Sequence, residues 1–194
     1  FNFWKKMAAN RPVPSVVESL KDLESRRPVL QARIRHSLGL DPWPERTPLN
    51  ARKVGELEKP GYRIEKLVYE AWVGLPVSAH LYIPEPMKRP CPGLVYACGH
   101  WMEAGKLAPP VQAFCAGAAT LGIMALVYDP IGQGERLQSW REHGNLGALL
   151  VGQSQLGLMV WESIRALDYL QGRPEVDPAR IGMTGASGGG LNTF

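Results

Sequence analysis

One serine of this chain stands where a nucleophile would. Residues 180–190 read Arg-Ile-Gly-Met-Thr-Gly-Ala-Ser-Gly-Gly-Gly, and within them Gly185-Ala186-Ser187-Gly188-Gly189 fits the pattern G-x-S-x-G. In a nucleophile elbow of that pattern a strand turns sharply into a helix, and the serine hydroxyl stands exposed above a sheet. Glycine on either side has a steric purpose, because the turn forces the serine into a strained backbone and brings neighbouring segments too close for a Cβ. The chemistry implied is acyl transfer. A serine hydroxyl is a weak nucleophile at neutral pH, so it needs a base, a group that orients the base, and N–H donors for the oxyanion that develops on the attacked carbonyl.

The base is the missing piece. The four histidines, His36, His80, His100 and His143, all precede Ser187, as do all five aspartates. Only seven residues follow the serine. Either the acid and base lie on chain beyond residue 194, or His100 or His143 reaches Ser187 in a dyad.

A serine at such a turn requires a buried strand before it and a helix after it, and the chain supplies that order. Residues 181–184 read as a strand, and a helix is expected from Gly188. Upstream, Gly93–Cys98 and Ile123–Tyr128 are short continuous apolar runs, the mark of strands buried on both faces of a parallel sheet. An alanine-rich helix at 111–121 joins them, which makes a right-handed crossover. An amphipathic helix is expected over 146–170 from Leu156, Val160, Ile164 and Leu167, with Glu162 and Arg165 spaced as a surface pair. Tyr62–Trp72 and Leu75–Ile83 alternate about Gly74 as a hairpin at a sheet edge. His80 falls inside it and reads as a structural histidine. Asp129, at the head of Asp129-Pro-Ile-Gly-Gln-Gly-Glu135, reads as a turn cap.

Before residue 60 the pattern changes. Val16, Leu20, Leu23, Leu30, Ile34 and Leu38 suggest a helical stripe broken before Pro28 and ended by Gly39, followed by a proline-rich stretch from Asp41 to Asn50. The expected division is a helical extension and linker over 1–60 and a catalytic body over 61–194.

Composition narrows the alternatives. The chain has 194 residues, is 45% hydrophobic and 21% charged, and carries a formal charge of +4 from scattered Lys and Arg, which describes a solvated face better than a nucleic-acid surface. No apolar run is long enough to span a bilayer, and no signal sequence opens the chain, which begins at Phe1. Cys91, Cys98 and Cys115 form neither a disulfide framework nor a zinc pattern and read as buried hydrophobes. No cofactor or metal is expected.

From Tyr62 to Phe194 the chain resembles the α/β hydrolase superfamily. Asp177-Pro-Ala-Arg-Ile-Gly-Met-Thr-Gly-Ala-Ser187-Gly-Gly-Gly190 and Asp129-Pro-Ile-Gly-Gln-Gly-Glu135 are similar to segments of its acetyl xylan esterase and dienelactone hydrolase-like branches. The resemblance implies a mostly parallel sheet with an N-terminal antiparallel hairpin and helices on both faces, cut off after the elbow. It implies a serine esterase acting on small-molecule or carbohydrate esters, acetylated carbohydrate among them, with no nucleic-acid or membrane partner. Ser187 would be the nucleophile. Gly188 would supply one oxyanion donor and the amide of His100 or Trp101 the other. In this fold the acid and histidine follow the serine in the chain, so they are expected beyond residue 194.

Two other enzyme or scaffold readings share the elbow: a prolyl oligopeptidase-type peptidase, for which residues 1–60 show no propeller repeat, and a non-catalytic interaction protein. A nucleotide-binding module fails on spacing, because Gly190 is followed by Leu191-Asn192 rather than the Lys and Ser or Thr of a phosphate loop.

Overall fold

The computed structural model describes residues 2–9, 16–139 and 146–193. Its centre is a six-stranded mixed sheet. Strands β1 (Arg52–Lys59), β2 (Tyr62–Trp72), β3 (Leu75–Pro84), β4 (Cys91–Ala97), β5 (Met124–Tyr128) and β6 (Val176–Gly185) lie in the order β1-β2-β3-β5-β4-β6. The first four strands in that order pair antiparallel; β4 then runs parallel to β5 on one side and to β6 on the other. The β4, β5 and β6 carboxyl ends therefore meet along one edge, where loops in a parallel sheet gather functional groups.

Every residue of β5 is buried, because the sheet is covered on both faces. Met124, Leu126 and Tyr128 belong to one core with Leu81, Val95, Trp161 and Leu170, while Ala125 and Val127 face a second core with Tyr82, Cys98, Val111 and Cys115. Helix α5 (Gln155–Gln171) supplies Trp161 and Leu170 to the first core, and α3 (Pro109–Thr120) supplies Val111 and Cys115 to the second. All three cysteines are buried and free.

The structure departs from the sequence reading in the following elements. Residues 52–59, assigned above to the linker, form β1, an exposed edge strand whose charged residues alternate with no buried face; charge of that kind protects a sheet edge from pairing with other chains. The 62–84 hairpin is consequently internal, flanked by β1 and β5. Helix α2 (Leu20–Leu38) runs unbroken through Pro28, capped by Ser19, whose hydroxyl accepts the Asp22 amide, and by Gly39 at φ 73°. None of its residues is fully buried: Leu20, Leu23, Leu30 and Ile34 of its apolar stripe are exposed, and Leu38 at its end packs half-buried against the core. Short α1 (Asn2–Ala9) precedes it. The helix expected over 146–170 is two, α4 (Leu146–Leu150) and α5, because Gly152 takes φ 73° and Ser154 caps α5 through the Gly157 amide.

The end of α2 is fastened to the start of α5. Ser154 Oγ donates to the Leu38 carbonyl at 3.0 Å and Gln153 Nε2 to that of Gly39 at 2.9 Å. Glu162 and Arg165 are both buried rather than paired on the surface. Glu162 is ion-paired with Arg136 at 2.6 Å and accepts from the Ile131 amide at 3.0 Å, bolting α5 to the turn after β5, and Arg165 donates to Asp168 and to the Thr47 carbonyl. Burial pushes the Glu162 carboxyl above its usual range against the pull of Arg136.

Candidate functional site

Ser187 lies between β6 and the short helix α6 (Gly188–Thr193) with φ 56°, one of two non-glycine residues with positive φ among those described. That left-handed backbone is costly for a side chain and marks a position fixed by its surroundings. The surroundings are visible. A Cβ on Gly185 would stand 2.5 Å from the carbonyl of Gly189, and one on Gly189 would collide with the carbonyl oxygen of Ala97 at the end of β4. Both glycines of the pattern are thus required by close approach, and the serine side chain is left exposed at the sheet edge while Gly188 and Gly189 are buried.

The loop after β4 reaches the same point. Gly99 packs against the Ala186 carbonyl so closely that a Cβ there would be 2.5 Å from it. Exposed His100 places its Nδ1 3.4 Å from Ser187 Oγ, and its ring lies over Gly188. Trp101 is also exposed, but its amide is committed: it donates to the Gly99 carbonyl at 2.9 Å and to Gln133 Oε1 at 3.0 Å. The structure therefore gathers Ser187, Gly188 and His100, with Trp101 adjacent. His143 lies outside the described residues.

Beneath this loop is a polar cluster. Lys106 and Asp129 are almost wholly buried, and Lys106 Nζ lies 2.5 Å from Asp129 Oδ2, 2.6 Å from Glu135 Oε2 and 3.2 Å from Ser78 Oγ. Asp129 also accepts from the Lys106 amide at 2.7 Å, the Glu135 amide at 3.1 Å and Ser78 Oγ at 3.0 Å. Its turn-capping role holds, with an ion pair added. No pattern in the chain pointed to Lys106, since lysine is seldom buried unless paired. Gln133 carried a signal only as part of the Asp129–Glu135 turn.

His80 sits beside the cluster, where Ser78, Lys66, Lys106 and Glu135 line a cavity of about 200 Å³. It is buried, and its Nδ1 meets no hydrogen-bond partner among the described residues. Burial, helped by the Lys106 charge and opposed by Asp129 and Glu135, lowers its pKa to about 4. An imidazole kept neutral in the native state but free to protonate near pH 6.5 when unfolded binds fewer protons folded than unfolded between those values. Its contribution is complete above about pH 6.5 and is lost as pH falls toward 4. We expect the urea midpoint to fall across that window, and the slope to flatten in a His80→Gln variant. Cys98 is not activated: burial drives its thiol far above the usual range.

Among the described residues no group of three or more His, Cys, Asp or Glu is placed to hold a metal ion, and no helix is long and apolar enough to cross a membrane.

No protein-family model matches the chain. The candidate hydrolase YtaP of Bacillus subtilis (strain 168) is 29% identical over 159 residues, which cover 76% of this chain and 52% of YtaP. Among solved structures, a candidate acetyl xylan esterase from Bacteroides fragilis NCTC 9343 superposes with a TM-score of 0.79 at 16% identity, covering 98% of this chain and 55% of that one. Methylesterase BT1017 does so with a TM-score of 0.74 at 25% identity over 92% of this chain and 39% of that one. An acetyl xylan esterase from Paenibacillus sp. R4 gives 0.61 at 23% identity, over 96% and 58%. The chain has the α/β hydrolase fold, its structural neighbours are acetyl xylan esterases and related esterases, and it spans about half the length of the curated relative it matches.

Proposed function

We propose that this chain is the nucleophile-bearing part of a serine hydrolase of carboxylic esters, with acetylated carbohydrate as a candidate substrate. The observation that carries the reading is Ser187 at φ 56° on a glycine-lined turn at the sheet's carboxyl edge, where the residue is exposed to an incoming carbonyl. The names of the structural neighbours, esterases among them, support the ester class.

In this reading Ser187 Oγ attacks the ester carbonyl and forms an acyl-enzyme, and water then releases the acid. The amide of Gly188, opening a helix, holds the oxyanion. The second donor is assigned to the loop after β4, at the amide of His100, the residue whose ring lies over Gly188 and beside Ser187. The acid and the base follow the serine in this fold; with the chain spanning about half of its curated relative, we place them on polypeptide beyond residue 194.

The 3.4 Å approach of His100 Nδ1 to Ser187 Oγ favours one second reading, in which His100 is itself the base. A fluorophosphonate probe tests both. Mass-spectrometric recovery of the tag on the peptide bearing Ser187, from protein expressed from the complete reading frame, is the expected result, and a tag elsewhere or none would sink the serine reading. Labelling that persists in a His100→Ala variant assigns the base to another histidine, whereas its loss assigns it to His100.

A further inference from the structure

The loop that carries the candidate oxyanion donor is not held by the sheet. Strand β4 ends at Ala97, and residues 98–104 run on without ladder bonds. What holds them is the turn after β5. Gln133 Oε1 takes the Trp101 amide at 3.0 Å, the Gly134 amide donates to the Met102 carbonyl at 2.8 Å, and Asp129 takes both the amide and the ammonium of Lys106. The fit is close: Gly105 at φ 50° and Gly134 at φ 56° both press on the Asp129 carboxylate, and a Cβ at either position would collide with it. Glu162 and Arg136 fix this turn in its own place on α5.

Gln133 stands nearest the chemistry. It is fully buried, its Oε1 is given to Trp101, and its Nε2 has no protein acceptor among the described residues. Its Oε1 is the one side-chain acceptor in this turn that takes the Trp101 amide, so it ties the turn after β5 to the loop after β4. Resting on the serine-esterase reading, we propose that Gln133 is a positioning residue: by fixing the Trp101 amide it sets the direction of the neighbouring His100 amide toward the oxyanion. A donor must meet the oxyanion at about 2.7–3.1 Å to act, and a misplacement of about 1 Å can cost on the order of 100-fold in rate.

The test uses protein from the complete reading frame with an acetyl ester substrate. Gln133→Met keeps the length of the side chain and removes the acceptor. The expected result is a fall in kcat of about 10- to 100-fold with KM little changed, together with faster hydrogen exchange of the amides between Gly99 and Gly105. A wild-type kcat, or a loss carried by KM alone, would overturn the proposal. If the methionine variant does not fold, Gln133→Glu carries the test, since it keeps an acceptor for Trp101. Retention of most of the wild-type kcat supports the role, and a 100-fold loss at unchanged KM overturns it. Equal turnover by wild type and Ser187→Ala would instead sink the serine reading, and that failure is visible without any change at Gln133.

Discussion

Ser187→Ala is expected to lower kcat for ester hydrolysis by about 10⁴- to 10⁶-fold in protein expressed from its complete reading frame, because the nucleophile and its base act as a unit and loss of either member removes nearly the whole effect. Hydrolysis of p-nitrophenyl acetate, followed at 400 nm or so, measures it. KM is expected to change little, since the serine makes its bond to substrate only on the way to the transition state. The 194-residue chain alone is a second arm of the same experiment. If the acid and base lie beyond residue 194, it should hydrolyse the ester no faster than its own Ser187→Ala form. Robust Ser187-dependent turnover by the chain alone would refute the placement of those groups elsewhere, and it would turn attention to His100, whose ring already lies 3.4 Å from the hydroxyl.

The second large effect concerns stability. Lys106→Met is expected to destabilise the fold by about 3 kcal/mol, toward the low end of the range for breaking a buried pair. The reason is asymmetry. Asp129 is fully buried and would lose the ammonium at 2.5 Å, but it would keep the amides of residue 106 and Glu135 and the Ser78 hydroxyl. Glu135, whose side chain is 64% exposed, can turn to water and contributes little to the loss. Against a typical domain stability of about 5–15 kcal/mol, such a change is readily seen in a urea melt. The double variant Lys106→Met/Asp129→Asn should recover part of it, because the uncompensated charge goes with the carboxylate. A single variant as stable as wild type would mean that the ion pair adds nothing beyond the backbone bonds.

Much of the fold was legible because the relevant signals are local. The two apolar runs at 93–98 and 123–128 could only be strands buried on both faces, and the alternation of Tyr62–Trp72 and Leu75–Ile83 described a hairpin. The elbow was legible for a stronger reason: Gly185, Gly189 and the strained Ser187 record a contact with Ala97, so a long-range approach left a mark on sequence type. Other features left none. Strand β1 is charged along its length and buries no residue, so no hydrophobic period announces it. Pro28 reads as a breaker, yet the caps at Ser19 and Gly39 sustain the helix around it. Glu162 and Arg165 have helix-surface spacing, and only the tertiary arrangement shows that Arg136 and the Thr47 carbonyl meet them where they are buried. Lys106 was silent, since its partner Asp129 lies 23 residues away in the chain, and Gln133 showed only as part of its turn, with no sign of the Trp101 amide that it accepts from 32 residues upstream.

Pairing of β6 with β4 has a kinetic meaning. His100 and Ser187 are 87 residues apart in the chain, whereas the β2–β3 hairpin closes through a two-residue turn and β4–α3–β5 through a local crossover. Contacts of short separation cost less chain entropy and form sooner. Among the strands described, β6 is therefore expected to zip last onto an already ordered sheet and so to complete the turn around Ser187. Recovery of fluorophosphonate reactivity during refolding would then report that final step and lag behind the recovery of secondary structure.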